Sequence, residues 1–219
     1  QVKLLRVGDK DAALEVPALN RIAEALNAGR VARTVALTKE EEPFIRALQL
    51  ITRKPMLYVA NTADPQPGVA NPHVAAVERM AAAEGAQLVQ LSCRTEAEIG
   101  ELEDPDERKL FLQELGLQES GLDRMARAAF HLLGLQTYFT AGVKEARAWT
   151  IHRGWTAPQA AGVIHTDFER GFIKAEVYHC DDLFVLGSEG AVGAAGKKRM
   201  EGKEYVMRDG DVVNFRFNV

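Results

Sequence analysis

The chain has 219 residues, of which 47% are hydrophobic and 26% charged, and its formal net charge is −4. That length holds one large domain or two small ones, and the composition is that of an ordinary globular protein, which excludes a disordered or fibrous chain. The acidic balance argues against a wholesale polyanion-binding surface, and no apolar run approaches the ~20 residues needed to cross a bilayer, so no membrane partner is expected.

In chain order, Asp11 to Ala28 carries Leu14, Ala18, Leu19, Ile22, Ala25 and Leu26 at helical spacing and stops at Gly29. Gly8-Asp9 before it reads as a hairpin tip that follows the end of an earlier helix through Val2, Leu4 and Leu5. Thr38 is a candidate N-cap, because Glu40, Glu41 and Glu42 favour the positive end of a helix dipole. That helix would bury Phe44, Ile45, Leu48 and Ile51. A βαβ unit comes next. Met56 to Ala60 is a continuous apolar run, as expected of a strand buried on both faces. Asn71-Pro72 opens a helix through Val74, Val77, Met80 and Ala81 that closes at Gly85, and Leu88 to Leu91 is the second strand. Helices are expected over Glu96–Glu101, Asp104–Leu115 and Leu122–Leu133.

From Gln136 onward the texture changes to short strands and turns. Thr137–Thr140 and Ala146–Ile151 form a hairpin pair, Pro158–Ile164 a short helix, Phe172–Val177 a strand and Asp182–Leu186 a helical turn. Tyr205–Met207 and Val212–Phe217 close the chain as strands around Asp209-Gly210-Asp211. A β-β-α-β-β order in so few residues suggests a β-grasp domain, with a boundary near Gly134-Leu135. The acidic excess belongs to residues 1–135. The remainder is neutral and carries Lys197-Lys198-Arg199, read first as solvated surface and second as an RNA contact.

The chemistry-bearing stretch is Pro55-Met-Leu-Tyr-Val-Ala-Asn61-Thr62-Ala63-Asp64. A strand runs into Asn-x-x-Asp, and Ser92-Cys93-Arg94 follows the neighbouring strand. Open α/β sheets place ligands at such strand ends. Asn61 can bond both the loop backbone and a base edge, and the backbone of Thr62 and Ala63 can read a purine rim. Asp64 can accept two hydrogen bonds from guanine. The plain alternative is an Asx turn before Pro65. The two readings stand level on Asn-x-x-Asp alone, and Ser92-Cys93-Arg94 tips the balance toward a base site. A phosphate loop, G-x-x-x-x-G-K-[ST], is absent from the sequence. The two cysteines, Cys93 and Cys180, have no metal-ligand spacing and suit free thiols in a reducing compartment. Cys93 reads as a small strand-end residue, and His165 near Asp167 as structural. Trp149 and Trp155 fit sheet core and hairpin edge, and Phe215/Phe217, alternating with Asn214 and Arg216, a half-buried strand.

These residues give the chain a resemblance to the YchF/Obg-like ATPases, a branch of the Obg-type P-loop NTPases. The resemblance runs from Gln1 to Val219. It is carried most specifically by Lys54–Asn61, Phe111–Leu117, Leu135–Thr150, Ala157–Glu176, Gly202–Tyr205 and Asp209–Val219. It implies the second half of a P-loop NTPase domain of α/β fold with a helical arm, followed by a C-terminal β-grasp (ubiquitin-like) TGS domain. Residues 1–29 would be the arm remnant, 30–134 the C-terminal half of the nucleotide-binding domain and 136–219 the TGS domain. Carried over by position, Asn61 and Thr62 would touch the base, Ala63 and Asp64 would complete that loop, and Ser92, Cys93 and Arg94 would form the loop flanking it.

The family resembled usually has Glu where this chain has Asp64, and Asn-x-x-Glu there goes with ATP. The shorter carboxylate keeps GTP open beside ATP. The resemblance further implies Mg2+ in the full-length protein, with no ligand for it in this chain. It implies cytoplasmic localisation and a partner that is the ribosome, its large subunit first, or RNA. The loop Gly187–Gly196 looks slightly short against the family. The start at Gln1 and the missing phosphate loop suggest a fragment that binds a purine nucleotide but does not hydrolyse it alone. The rival reading is a stand-alone RNA- or ribosome-binding TGS adaptor without NTPase activity.

Overall fold

The computed structural model describes residues 10–63, 71–142 and 145–218. The chain divides into two compact units, one within residues 1–58 and 71–88, the other within 59–70 and 89–219. The boundary passes along two strands, so it does not coincide with a linker in the sequence. The hairpin tip expected at Gly8-Asp9 and the apolar residues before it lie outside the described residues.

In the first unit, α1 (Lys10–Asn27) buries Ala12, Val16, Ala18, Ile22 and Ala25; of the stripe expected from the sequence, Ala18, Ile22 and Ala25 are buried, while Leu14 and Leu26 are exposed. Gly29, at φ +70°, ends it in the left-handed conformation that glycine adopts without steric cost. Ala18 and Ile22 pack with Ala32 and Ile45 into a small core. Ile45 belongs to α2 (Glu42–Ala47). Before α2, Thr38 and Glu41 bond reciprocally: Glu41 Oε2 accepts from Thr38 N at 2.9 Å, and Thr38 Oγ1 from Glu41 N at 3.3 Å. The Thr38 N–H, with Arg21 at 2.6 Å, holds the Glu41 carboxyl below its ordinary pKa. The expected helix is cut short here. Leu48 and Ile51, assigned to its buried face, are exposed, because α2 ends at Ala47 and a 3-10 turn covers Ile51–Arg53.

β1 (Leu57–Asn61) and β2 (Gln87–Leu91) are hydrogen-bonded neighbours in a two-stranded sheet. Between them runs α3 (Pro72–Ala83), capped by Asn71 Oδ1, which accepts from the N–H groups of His73 and Val74. β1 is not buried on both faces as its apolar run suggests. Val59 is 46% exposed, since β2 is the only strand beside it among the described residues.

In the second unit, α4 (Cys93–Glu101), α5 (Pro105–Glu114) and α6 (Gly121–Leu132) follow β2, capped by the side chains of Ser92, Asp104 and Ser120. The C-terminal sheet then begins. β3 (Leu135–Ala141) and β4 (Ala146–His152) pair antiparallel from Leu135↔His152 to Ala141↔Ala146. α7 (Ala157–Ile164) and α8 (Thr166–Arg170) cross to β5 (Phe172–His179), and α9 (Cys180–Leu186) and α10 (Glu189–Ala194) lead to β6 (Arg199–Glu201) and β7 (Asp211–Phe217). The spatial order is β4-β3-β7-β5-β6, with β3 and β7 parallel at Phe139↔Val212. The first and last strands therefore lie together in the middle of a mixed sheet, the β-grasp arrangement expected from the sequence.

Its core joins Tyr138, Ile151, Val177, Val213 and Phe215 of the sheet to Ala157, Ala160 and Ala161 of α7. Three alanines let the helix sit close enough for the buried Tyr138 hydroxyl to donate to Ala160 O at 2.9 Å. Burial pushes that phenol's pKa well above its ordinary value. Trp149 and Trp155 pack against this core, and Phe217 stacks on Phe168 with ring centroids 3.8 Å apart.

Three expectations need correcting. Tyr205–Met207 is not a strand. It makes one isolated bridge, Thr156↔Val206, because its backbone bonds go to the start of α7 through Ala157 N to Tyr205 O and Met207 N to Trp155 O. Arg199 is exposed, as expected of a solvated cluster, but it opens a strand, β6, that the sequence reading does not include. The loop Gly187–Gly196 holds α10, whose Val192 is fully buried against Tyr178 and Val212.

Candidate functional site

The C-terminal ends of β1 and β2 lie side by side. Thr62 N donates to Leu91 O at 2.9 Å, and Asn61 Oδ1 accepts from Cys93 N at 3.0 Å. Ser92 Oγ donates to Ala63 O at 3.4 Å, and Gln90 Nε2 to Thr62 Oγ1 at 3.2 Å. Asn61, Thr62 and Ala63 are thereby brought against Ser92 and Cys93, one strand end cross-bonded to the other. Asp64 lies outside the described residues.

Ser92, Cys93 and Arg94 are not a loop. Ser92 is the N-cap of α4, its hydroxyl accepting from Thr95 N at 3.3 Å, and Cys93 and Arg94 form the first turn. A serine followed by an amphipathic run signals a cap, and the helix begins at Cys93, three residues before the Glu96 start expected from the sequence. Ser92 is only 1% exposed and so serves as a fixed post between the two strand ends. Cys93 is exposed and not disulfide-bonded. The Arg94 side chain is 86% exposed and pairs with Glu98 one turn on at 3.0 Å, so it is held along its own helix.

Sequence reasoning missed Glu96. Its buried carboxylate accepts from the backbone N–H groups of Gly121 and Leu122 at 2.7 and 3.1 Å, clamping α4 to the N-terminus of α6. Thr95, Glu96 and Ile99 form one buried stripe of α4. A carboxylate on the inward stripe of a short helix is the signal that marks it. Gly121 is required opposite it. A Cβ there would stand 2.6 Å from Leu91 Cβ and 2.7 Å from Glu96 Oε1.

Chemically, the two strand ends offer the Asn61 amide, exposed backbone at Ala63, and a cap that fixes both. This suits recognition of a planar heterocycle by hydrogen bonds. It does not suit phosphates or Mg2+: Arg94 is engaged by Glu98, Arg124 donates to Gln90 O, and the sequence has no phosphate loop. No hydrolytic step is assigned to these residues.

Elsewhere, His179, Cys180 and Asp181 bring potential metal-ligand atoms within 4.8 Å of one another. Both ring nitrogens of His179 are engaged, however. Nδ1 accepts from Asp181 N at 3.2 Å, and Nε2 faces Asp209 O at 2.9 Å, which fixes the proton on Nε2. Burial raises the Cys180 thiol pKa, the opposite of what a ligating thiolate needs. His165 is likewise a cap: its Nδ1 accepts from Asp167 N, while Asp167 pairs with Arg170.

Comparison with known proteins agrees with this architecture. The family model described as "YchF-GTPase_C: Protein of unknown function (DUF933)" matches residues 135–218. The chain is 48% identical over 221 residues to the "Ribosome-binding ATPase YchF" of Bacillus subtilis (strain 168), covering 99% of this chain and 60% of that protein. It is 49% identical over 217 residues to the protein of the same name from Haemophilus ducreyi, covering 99% of this chain and 59% of that one. The solved "Structure of the Schizosaccharomyces pombe YchF GTPase" superposes with a TM-score of 0.76 at 32% identity, over 91% of this chain and 53% of that one. The chain thus spans about 60% of the length of the curated relatives it matches. With its helical caps, β-grasp sheet order and whole-length similarity taken together, this chain belongs to the YchF family, and it corresponds to the portion that includes the C-terminal TGS domain.

Proposed function

We propose that this chain is part of a ribosome-associated, cytoplasmic NTPase and carries the side of the nucleotide site that reads the purine base. In this reading residues 1–29 belong to a helical arm, 30–134 to the nucleotide-binding domain and 136–219 to the TGS domain. Asn61, Thr62 and Ala63, with Ser92, Cys93 and Arg94, flank the base, and Asp64 completes the loop. The observation that carries the reading is the Asn61 Oδ1 to Cys93 N bond at 3.0 Å, which makes one rim of two strand ends where α/β sheets place ligands. The relatives' names differ on the nucleotide, "ATPase" in Bacillus subtilis and "GTPase" in Schizosaccharomyces pombe. ATP is proposed first and GTP second.

Base contacts alone give modest affinity. A Kd near 1 mM corresponds to about −4 kcal/mol, which a few hydrogen bonds to a preformed rim can supply. Hydrolysis rests on positioning the γ-phosphate and Mg2+, and this chain by itself is expected to release no phosphate. Isothermal titration of the chain with ATP, GTP and CTP tests the reading. Purine binding of millimolar order, lost in Asn61→Ala and absent with CTP, supports it; equal heats for CTP contradict it. Co-sedimentation with ribosomes and with separated large subunits tests the partner. Ribosome binding without any purine binding would favour a TGS adaptor over an NTPase piece.

A further inference from the structure

Within the second compact unit, a cavity of about 360 Å³ opens at the end of β5, where α9, the start of β6 and the turn before β7 meet. Asp211 lines it together with Lys197, Arg199 and Arg208, and with Asp182 and His179. Asp211 is 0% exposed. Its Oδ2 accepts from the Tyr205 hydroxyl at 2.8 Å and from Arg208 N at 2.9 Å. Its Oδ1 is buried and, among the described residues, has no hydrogen-bond partner. The cations around it are engaged unequally. Lys197 meets Asp182 at 3.5 Å, and Arg199 meets Glu201 at 3.6 Å and the Tyr205 hydroxyl at 3.3 Å. The Arg208 side chain is exposed and, among the described residues, enters no hydrogen bond or ion pair. Lys198, the remaining cation of the Lys197–Arg199 run, is engaged outside the cavity by Glu189 and Glu176, at 2.7 and 3.3 Å.

We infer that this cavity binds a protonated phosphate group, free or at the end of a phosphate monoester. Its P–O–H donates to Asp211 Oδ1, and its other oxygens accept from Arg208, with Arg199 and Lys197 beside it. Two demands select that occupant. A buried carboxylate oxygen without a donor is costly, and a ligand that donates a hydrogen bond removes the cost. The unpaired guanidinium asks for the opposite, an anion whose oxygens fit its fork. An ammonium would satisfy Asp211 but would stand among three cations, with Asp182 already held by Lys197. A neutral hydroxyl would leave Arg208 unpaired. A hydroxyl on an anion meets both demands. The second pKa of a phosphate monoester is about 6, so near that pH about half of it carries the required proton. Sulfate and the phosphodiesters of a nucleic-acid backbone carry none, so the cavity discriminates against both. The inference does not depend on the base site at Asn61.

The test is a two-dimensional amide NMR titration of the 219-residue chain at about pH 6 and constant ionic strength. The probes are inorganic phosphate, glycerol 2-phosphate, sulfate and dimethyl phosphate, none of which carries a base. Phosphate is expected to shift the amides of Lys197, Arg208 and Asp211 and to bind at least tenfold more tightly than sulfate or dimethyl phosphate. The tighter of inorganic phosphate and glycerol 2-phosphate tells whether the free ion or the monoester is the better ligand. Arg208→Ala, which leaves the backbone bond to Asp211 in place, is expected to weaken phosphate binding about tenfold or more. Asp211→Asn turns an amide N–H toward the ligand in place of Oδ1, so sulfate is expected to bind within about twofold of phosphate. Arg147→Ala, on β4 outside the cavity, serves as the charge control and should change nothing. Circular dichroism of each variant verifies folding. Phosphate and sulfate binding the parent chain equally, shifts confined to residues outside the cavity, or an Arg208→Ala affinity equal to that of Arg147→Ala overturns the inference.

Discussion

Replacing Glu96 by alanine is expected to loosen the support beneath the strand ends more than any exposed substitution near them. The buried carboxylate accepts two backbone hydrogen bonds, from Gly121 N at 2.7 Å and Leu122 N at 3.1 Å. A hydrogen bond to a charged group contributes ~1.5–3 kcal/mol, and an anion at a helix N-terminus a further ~0.3–1 kcal/mol. Truncation also leaves the N–H of buried Gly121 without its acceptor. Summed and discounted for local relaxation, Glu96→Ala should cost about 3–5 kcal/mol. Glu96→Gln keeps the shape and one acceptor oxygen but turns an amide NH2 toward the second N–H, so about half of that loss is expected. Urea unfolding followed by far-UV circular dichroism measures both, with an unchanged m-value verifying that the same surface unfolds. A loss below about 1 kcal/mol for Glu96→Ala, or equal losses for the two variants, would refute the clamp.

Three further outcomes follow from other parts of the fold. Ser92→Ala removes the α4 cap and the bond to Ala63 O, and should lower stability by about 1–2 kcal/mol in the same urea assay; no change would show that the hydroxyl is dispensable. Gly171→Ala would drive a Cβ into Asn218 O, on the residue whose N–H ties the end of the last strand to Gly171 O, so thermal melting of the TGS sheet should fall by several degrees, and a melt like that of the parent would contradict the contact. Burial, with the hydrogen bond to Asp211, pushes the Tyr205 phenol up to about 12. A raised folded-state pKa contributes stability that is complete below the ordinary phenol value near 10 and is lost as pH rises through about 12. Urea midpoints between pH 9 and 12 should therefore fall less steeply for Tyr205→Phe than for the parent, and parallel profiles would refute the assignment.

Much of this was legible in the residues because local and tertiary signals agree. The Asn71-Pro72 cap and the β3–β4 hairpin form where the sequence places them, and α1 buries Ala18, Ile22 and Ala25 of its expected stripe. The β-grasp order followed from strand count and turn spacing. The failures share a cause: long-range pairing decided them. Arg199 entered a strand because β5 offers an antiparallel edge from Ala175 to Val177, which a charged tripeptide does not announce. Tyr205–Met207 has strand composition but spends its backbone bonds on the start of α7. At the site, Asn61 and Ser92 were singled out from strand-end position, and the structure brings them together. Glu96 was overlooked because its partners are backbone N–H groups some 25 residues away, and no side-chain pattern encodes them.

The central claim is tested most directly by a two-dimensional amide NMR titration of the chain with ATP. The account predicts that the largest shifts fall together on Thr62, Ala63, Cys93 and Arg94, that Asn61→Ala abolishes them, and that CTP leaves those amides unmoved. Shifts confined to residues away from both strand ends, or the same pattern with CTP, would contradict it.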